Sequence, residues 1–263
     1  MKRILFITLL SLFSLSVFCQ NKGTLKFLGI PIDGTEAQFV SKLKSKGFTY
    51  NSIYKNYEGQ FNGKDVDVFI HTNHNLVDRV YVAFPYTSEA GIRVEFNRLL
   101  SQFEETGKYM SFGMNEEIPA DEDISYEISI NNKRYQASFS YIDPDRDPIA
   151  LMEALVDKIS DFFTEEQLAK LKEYINKAKN ASESEQEALQ AQMMAELQGQ
   201  GLGQDAESEF NPEKALRFLS TFIEGMQSLA DGEVWFMIHE HLGRYQIGLY
   251  YDNLHNQAHG EDL

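Results

Sequence analysis

An α+β fold is predicted, an antiparallel sheet built from helix–hairpin repeats with helices on one face, plus a helical insertion. Three observations predict it. Amphipathic helical stretches are followed by pairs of strand-like stretches in three successive rounds. The strand-like stretches alternate apolar and polar side chains, the mark of antiparallel strands with one buried and one wetted face. Hydrophobic residues make up 43% of the 263 and aromatic residues 13%, enough for a core and too many for wholesale disorder.

In chain order, a short strand is expected over Leu25–Ile32. Thr35 then caps a helix carrying Phe39, Val40 and Leu43, which Gly47 stops. Strands Tyr57–Phe61 and Val66–Ile70 flank the turn Asn62-Gly63-Lys64, and Val77–Phe84 closes the first round. In the second round Ser88 caps a helix with Ile92, Phe96, Leu99, Leu100 and Phe103, ended by Gly107. Strands Tyr126–Ile130 and Arg134–Ile142 are expected around Asn131-Asn132, a pair suited to positive φ. In the third, Asn211 caps and Pro212 opens a helix carrying Leu216, Leu219, Ile223 and Met226, and strands Val234–Glu240 and Arg244–Asp252 follow around Gly243. Arg-Tyr-Gln opens the second strand of rounds two and three, at Arg134 and Arg244, a hint of internal duplication. Strand order is not legible.

Residues 147–210 interrupt the pattern. Asp147-Pro148 begins a helix with Leu151, Met152, Leu155, Val156, Ile159 and Phe163 on one side, and Thr164 with Gln167 forms a capping box for the next. From Asn180 to Glu209 the chain turns polar; Ser184 and Glu187 outline a short helix ahead of glycines 199, 201 and 203, in a loosely docked segment. The predicted organisation is a signal peptide over 1–19, helix–hairpin units one and two over 20–146, the insertion over 147–210, and a third unit over 211–263 that completes the same domain.

The signal rests on Lys2 and Arg3 ahead of an apolar run from Ile4 to Phe18, with Val17 and Cys19 at the −3 and −1 positions of a cleavage before Gln20. Lipidation of Cys19 wants a small residue before the cysteine and Leu three before it; Phe18 and Ser16 stand there, so ordinary cleavage is favoured. The expected location is periplasmic or secreted, with no integral membrane segment after signal removal. Cleavage removes the only cysteine, and with it disulfide, thiolate-metal and Cys-nucleophile chemistry.

A net charge of −16 argues against nucleic acid, which needs clustered cations. No P-loop, GxGxxG turn, GxSxG elbow or HExxH motif is present. Asp143, Asp145 and Asp147 open like a calcium loop, but Pro148 and Ala154 stand where Gly and Glu are needed. Asp121-Glu122-Asp123 reads as a solvated loop. His239 and His241, two apart on a strand, share a face and are the candidate pair for zinc, which needs a third ligand. His71 with His74, and His255 with His259, are further pairs. No cofactor is expected.

The candidate binding surface is less motif-like. If Val234, Phe236 and Ile238 point inward, Trp235, Met237, His239 and His241 point outward, on the same face as Arg244 and Tyr250. The single Trp of the chain on a wetted sheet face is unusual, and Trp, Tyr, Met and Arg are enriched at interfaces. The candidate ligand- or partner-binding residues are therefore Trp235, His239, His241, Arg244 and Tyr250. Burial of this face under the insertion helices is the competing expectation.

The signal ending Cys19-Gln20, the run Phe27-Leu28-Gly29-Ile30-Pro31-Ile32-Asp33-Gly34, and Phe39-(x)3-Leu43-(x)2-Lys46-Gly47-Phe48 resemble secreted proteins of Bacteroides-type bacteria. The resemblance implies an origin and a compartment but no activity. In topology alone the helix–hairpin repetition is similar to modules of the beta-lactamase-inhibitor-protein type, and implies a non-catalytic binding module. The expectation is thus an envelope protein binding an unknown protein or small molecule. The alternatives are a zinc-dependent hydrolase using His239 and His241, and an envelope scaffold whose segment 180–210 orders on a partner.

Overall fold

The computed structural model describes residues 24–111, 115–179 and 212–257, with isolated positions at 181, 182, 185 and 189. The signal region with Cys19, the polar segment from 190 to 210, the Asn211 cap and His259 lie outside the described residues, as does most of the helix expected around Ser184–Glu187. The protein is a mixed α+β chain that divides into two compact units.

The first unit comprises Gly23–Asp143 and Ala230–Leu263. It opens with a miniature hairpin, β1 (Lys26–Phe27) and β2 (Ile30–Pro31), joined through Leu28 and Gly29 at φ 51° and 79°. The single strand expected over Leu25–Ile32 is therefore two, because Gly29 lets the chain fold back. Helix α1 (Glu36–Ser45) has the full capping box of Thr35 and Gln38 and buries Phe39 and Leu43. An unforeseen strand β3 (Thr49–Asn51) precedes β4 (Asn56–Phe61), β5 (Lys64–Asn73) and β6 (Leu76–Ala83). Asn62-Gly63 and His74-Asn75, all at positive φ, make the two tight turns.

Helix α2 (Glu89–Glu105), capped by Ser88, behaves as expected. The strand expected over Tyr126–Ile130 is instead helix α3 (Ile124–Asn131). Asp123 accepts a hydrogen bond from the Tyr126 N–H, starting a helix, and Asn132 adopts the left-handed conformation at φ 51° that ends one. The pair Asn131-Asn132 is thus a helix C-cap rather than a hairpin turn. Only Ile124 of the apolar alternation is fully buried, while Tyr126 and Ile130 face solvent. The second round therefore contributes one strand, β7 (Gln136–Tyr141), to the sheet. β8 (Gly232–His241) and β9 (Arg244–Asn253) form the long hairpin turned by Leu242-Gly243.

Seven strands lie antiparallel in the order β3-β4-β5-β6-β9-β8-β7. The last hairpin inserts between β6 and β7, which sequence order alone does not reveal. On the inner face Val80 and Val82, Ile247 and Leu249, Val234 and Phe236, and Ala137 and Phe139 meet Phe39, Leu43, Ile92, Phe96 and Phe103 of the helices in one core. Phe236 is fully buried and packs edge-on against Phe96, ring centroids 5.0 Å apart.

The second unit includes Pro144–Leu229. Asp147 caps helix α4 (Pro148–Lys158), and the Thr164–Gln167 capping box opens α5 (Glu165–Ala178). Helix α6 (Pro212–Gln227) groups with these two, while the hairpin that follows it belongs to the sheet. Gly225 permits its close approach to α4, since a Cβ there would lie 3.0 Å from Leu155 Cδ1. The buried stripe of α6 runs through Phe218, Phe222 and Met226, so Leu216 and Leu219, expected on the apolar side, are exposed. No helix among the described residues is long and apolar enough to cross a membrane.

Candidate functional site

Helices α1, α2 and α3 bury their apolar faces in the core on the inner side of the sheet, and the outer side carries a different chemistry. Strand alternation sends Trp235 of β8, Tyr250 of β9, Tyr81 of β6 and Phe69 of β5 to that outer face. The register makes each the direct cross-strand neighbour of the next. Their rings form a row. Trp235 and Tyr250 stack with centroids 3.8 Å apart and planes within 6°. Tyr250 and Tyr81 follow at 4.7 Å, and Tyr81 and Phe69 at 5.5 Å. All four side chains are half-buried and none belongs to the core cluster. Burial, then the neighbouring Tyr250 phenol, pushes Tyr81 up to about 12, so its hydroxyl stays protonated.

Beside this row runs a charged one, Arg79, Asp252 and Glu233, again direct cross-strand neighbours, with His71 opposite Arg79 on the next strand. Asp252 is its anchor, a carboxylate only 2% exposed. Arg79 donates to it twice, Nε to Oδ1 at 2.5 Å and Nη2 to Oδ2 at 2.9 Å, and Trp235 Nε1 donates to Oδ2 at 2.8 Å. The guanidinium also sits 6.0 Å from the Trp235 ring and 5.7 Å from the Tyr250 ring, within cation–π range. One buried carboxylate thus sets the rotamers of both the arginine and the indole.

Trp235, Tyr250 and His239 of the expected site come together. Tyr250 Oη lies 3.3 Å from His239 Nε2. The imidazole occupies the space that Gly248 leaves empty, for a Cβ there would stand 2.7 Å from His239 Nε2. Burial lowers the His239 pKa, which keeps the ring neutral at pH 7. His241 and Arg244 do not join them. They pair at the far end of the hairpin, six residues or about 20 Å along β8 from Trp235. Arg244 turns to Tyr86, donating to its carbonyl at 3.3 Å and lying 5.6 Å from its ring.

Two further histidines are engaged separately. His71 Nδ1 meets Asp78 Oδ1 at 2.7 Å beside the register shift at His71/Thr72, and His255 Nε2 meets Asp231 Oδ1 at 2.8 Å. Among the described residues no three His, Cys, Asp or Glu side chains group as metal ligands, so His239 and His241 find no third partner there. Asp147 is an ordinary helix cap, accepting from the Ile149 N–H. Glu122 is not a solvated loop acid. It accepts from Lys133 Nζ at 2.5 Å and from the Tyr135 hydroxyl, and these bonds hold its carboxyl below the usual range.

Sequence reasoning missed Phe69, Arg79, Tyr81, Glu233 and Asp252. Alternation along Val77–Phe84 does place Arg79 and Tyr81 on one face, but joining them to Trp235 requires knowing that β9 lies between β6 and β8. Fold and site together define a mixed α+β protein with a seven-stranded antiparallel sheet whose outer face carries an aromatic row and a charged row. No protein-family model, no curated protein and no solved structure matches the chain, so its function must be argued from the site.

Proposed function

We propose that the chain is an exported, non-catalytic binding protein of the bacterial envelope whose ligand docks on the outer face of the sheet. The observation that carries this reading is the row Trp235–Tyr250–Tyr81–Phe69, four aromatic side chains aligned outside the core and braced by the Arg79–Asp252 pair. Rings stacked on one another, with their polar tips tied down, are pre-ordered, so binding there sacrifices little side-chain entropy. Export is supported by the pattern of residues 1–19. Amino-terminal sequencing of the exported protein is expected to begin at Gln20, and a chain retaining Met1 or a lipid on Cys19 contradicts that part.

Trp235 is the only tryptophan, which makes its emission a reporter of this face. The purified protein is titrated with a lysine-bearing peptide, a cello-oligosaccharide, calcium chloride and phosphatidylglycerol vesicles. At least one probe is expected to shift the emission saturably. Binding of a probe without any change at Trp235, or no response to any of the four, sinks the reading.

A further inference from the structure

Resting on that reading, the uneven pairing of the protein's acids identifies the class of ligand. Several carboxylates of the helices and the α2–α3 loop meet cations: Glu95 with Lys64 and Arg98, Glu122 with Lys133, Glu153 with Lys179, Glu173 with Lys177. On the outer face of the sheet, four do not. Glu58 is held by Asn51 Nδ2 at 2.5 Å, Asp67 by Asn56 Nδ2 at 2.6 Å, Asp65 by Gln60 Nε2 at 3.2 Å, and Glu233 by the Ser138 hydroxyl. Each of these donors is neutral, so it fixes the carboxylate in place and leaves its charge uncompensated. Glu58 and Asp67 stand directly opposite each other across β4 and β5, an arrangement that destabilises a sheet. Burial and then Glu58 raise the Asp67 pKa, against the hydrogen bond from Asn56. Of the arginines on this face, Arg79 already has Asp252, and Arg244 is turned to Tyr86 at the hairpin tip.

The aromatic row adds direction. Because the rings stack face to face along it, Tyr250 and Tyr81 present only their edges to a ligand. Tyr250 covers one face of the indole, and the opposite face looks toward β7, where its cross-strand neighbour is the small Ser138 and Glu233 stands alongside. An indole face beside a carboxylate is a seat for an ammonium or guanidinium group. Asp67 and Glu233 are separated by three strand spacings and four residues along the strands, about 20 Å, or six residues of extended chain.

The geometry points to a basic polypeptide segment as the ligand, lying diagonally across the aromatic row with one cation between Glu58 and Asp67 and another against Trp235 and Glu233. The test uses a Gly/Ser peptide with two lysines six residues apart, its glutamine counterpart, and the full chain at 50 mM salt, read by Trp235 emission and calorimetry. The lysine peptide is expected to bind and the glutamine peptide not, with the affinity falling in 0.5 M salt. The isosteric pair Asp67→Asn and Glu233→Gln is expected to weaken binding about tenfold, the sum of two exposed ion pairs. The control, Glu104→Gln with Glu105→Gln on α2, removes the same charge elsewhere and is expected to change it less than twofold. Equal losses from both pairs, or equal binding of both peptides, overturn the inference. If the oligosaccharide, calcium or the vesicles shift Trp235 and the lysine peptide does not, the inference falls and the binding reading survives. If nothing shifts it, both fall.

Discussion

Replacing Asp252 with alanine is expected to lower stability by about 2–4 kcal/mol and to release Trp235 from its fixed rotamer. The carboxylate is 2% exposed and accepts three hydrogen bonds, two of them from a guanidinium. Its loss leaves the indole N–H without an acceptor and Arg79 without a counter-ion. The Arg79 side chain is 40% exposed and can turn to water, which keeps the cost below that of breaking a fully buried pair. Asp252→Asn, which retains one oxygen acceptor, is expected to cost about half as much. Urea unfolding followed by circular dichroism measures both. A change under about 0.5 kcal/mol for the alanine variant means that this carboxylate does not brace the face.

Phe236→Ala is expected to cost about 3–5 kcal/mol, the range for removing a buried aromatic ring. Phe236 is completely buried and its ring touches those of Phe96, Phe103 and Phe139, at centroid distances of 5.0, 5.9 and 6.3 Å. Strands β7 and β9 flank it on both sides and Phe96 and Phe103 of α2 cover it, a wall of packed elements that does not collapse freely into the space. It neighbours Trp235 in sequence but faces the other way, so the variant separates the two faces of one strand. Near the centre of its denaturation curve the remaining folded fraction is expected to keep the native Trp235 emission, unlike the Asp252 variant. A loss below about 1.5 kcal/mol contradicts the packing described for the inner face.

Short-range chemistry was legible in the sequence at most of the helix caps and at two of the hairpin turns. Thr35, Ser88, Asp147 and Thr164 cap helices where expected, and Asn62-Gly63 and Gly243 make their hairpins. Alternation along β8 and β9 correctly assigned Trp235, His239 and Tyr250 to one face. It erred at Tyr126–Ile130, where period-two apolarity outweighed two polar capping residues, Asp123 and Asn132, in the reading but not in the fold. The aromatic and charged rows were beyond reach for a different reason. Their members lie as far apart as Phe69 and Tyr250 in the chain and meet only through the strand order β5-β6-β9-β8, a long-range property that no local pattern encodes. Arg244 shares that face by parity but stands apart from Trp235, since parity along a strand assigns a face but not the distance along it, and Tyr86 holds the guanidinium at the hairpin tip.

Under the proposed function the ligand docks on the outer face of the sheet and on no other surface. Chemical-shift mapping of the isotope-labelled protein with the four probes tests it most directly. The predicted result is a saturable shift of the Trp235 indole N–H together with the amides of Arg79, Tyr81, Glu233 and Tyr250. Tyr50, Ile53 and Tyr54, close together in the chain at and just after β3, are also exposed. Shifts confined to those three, with the indole N–H unmoved, would contradict the account.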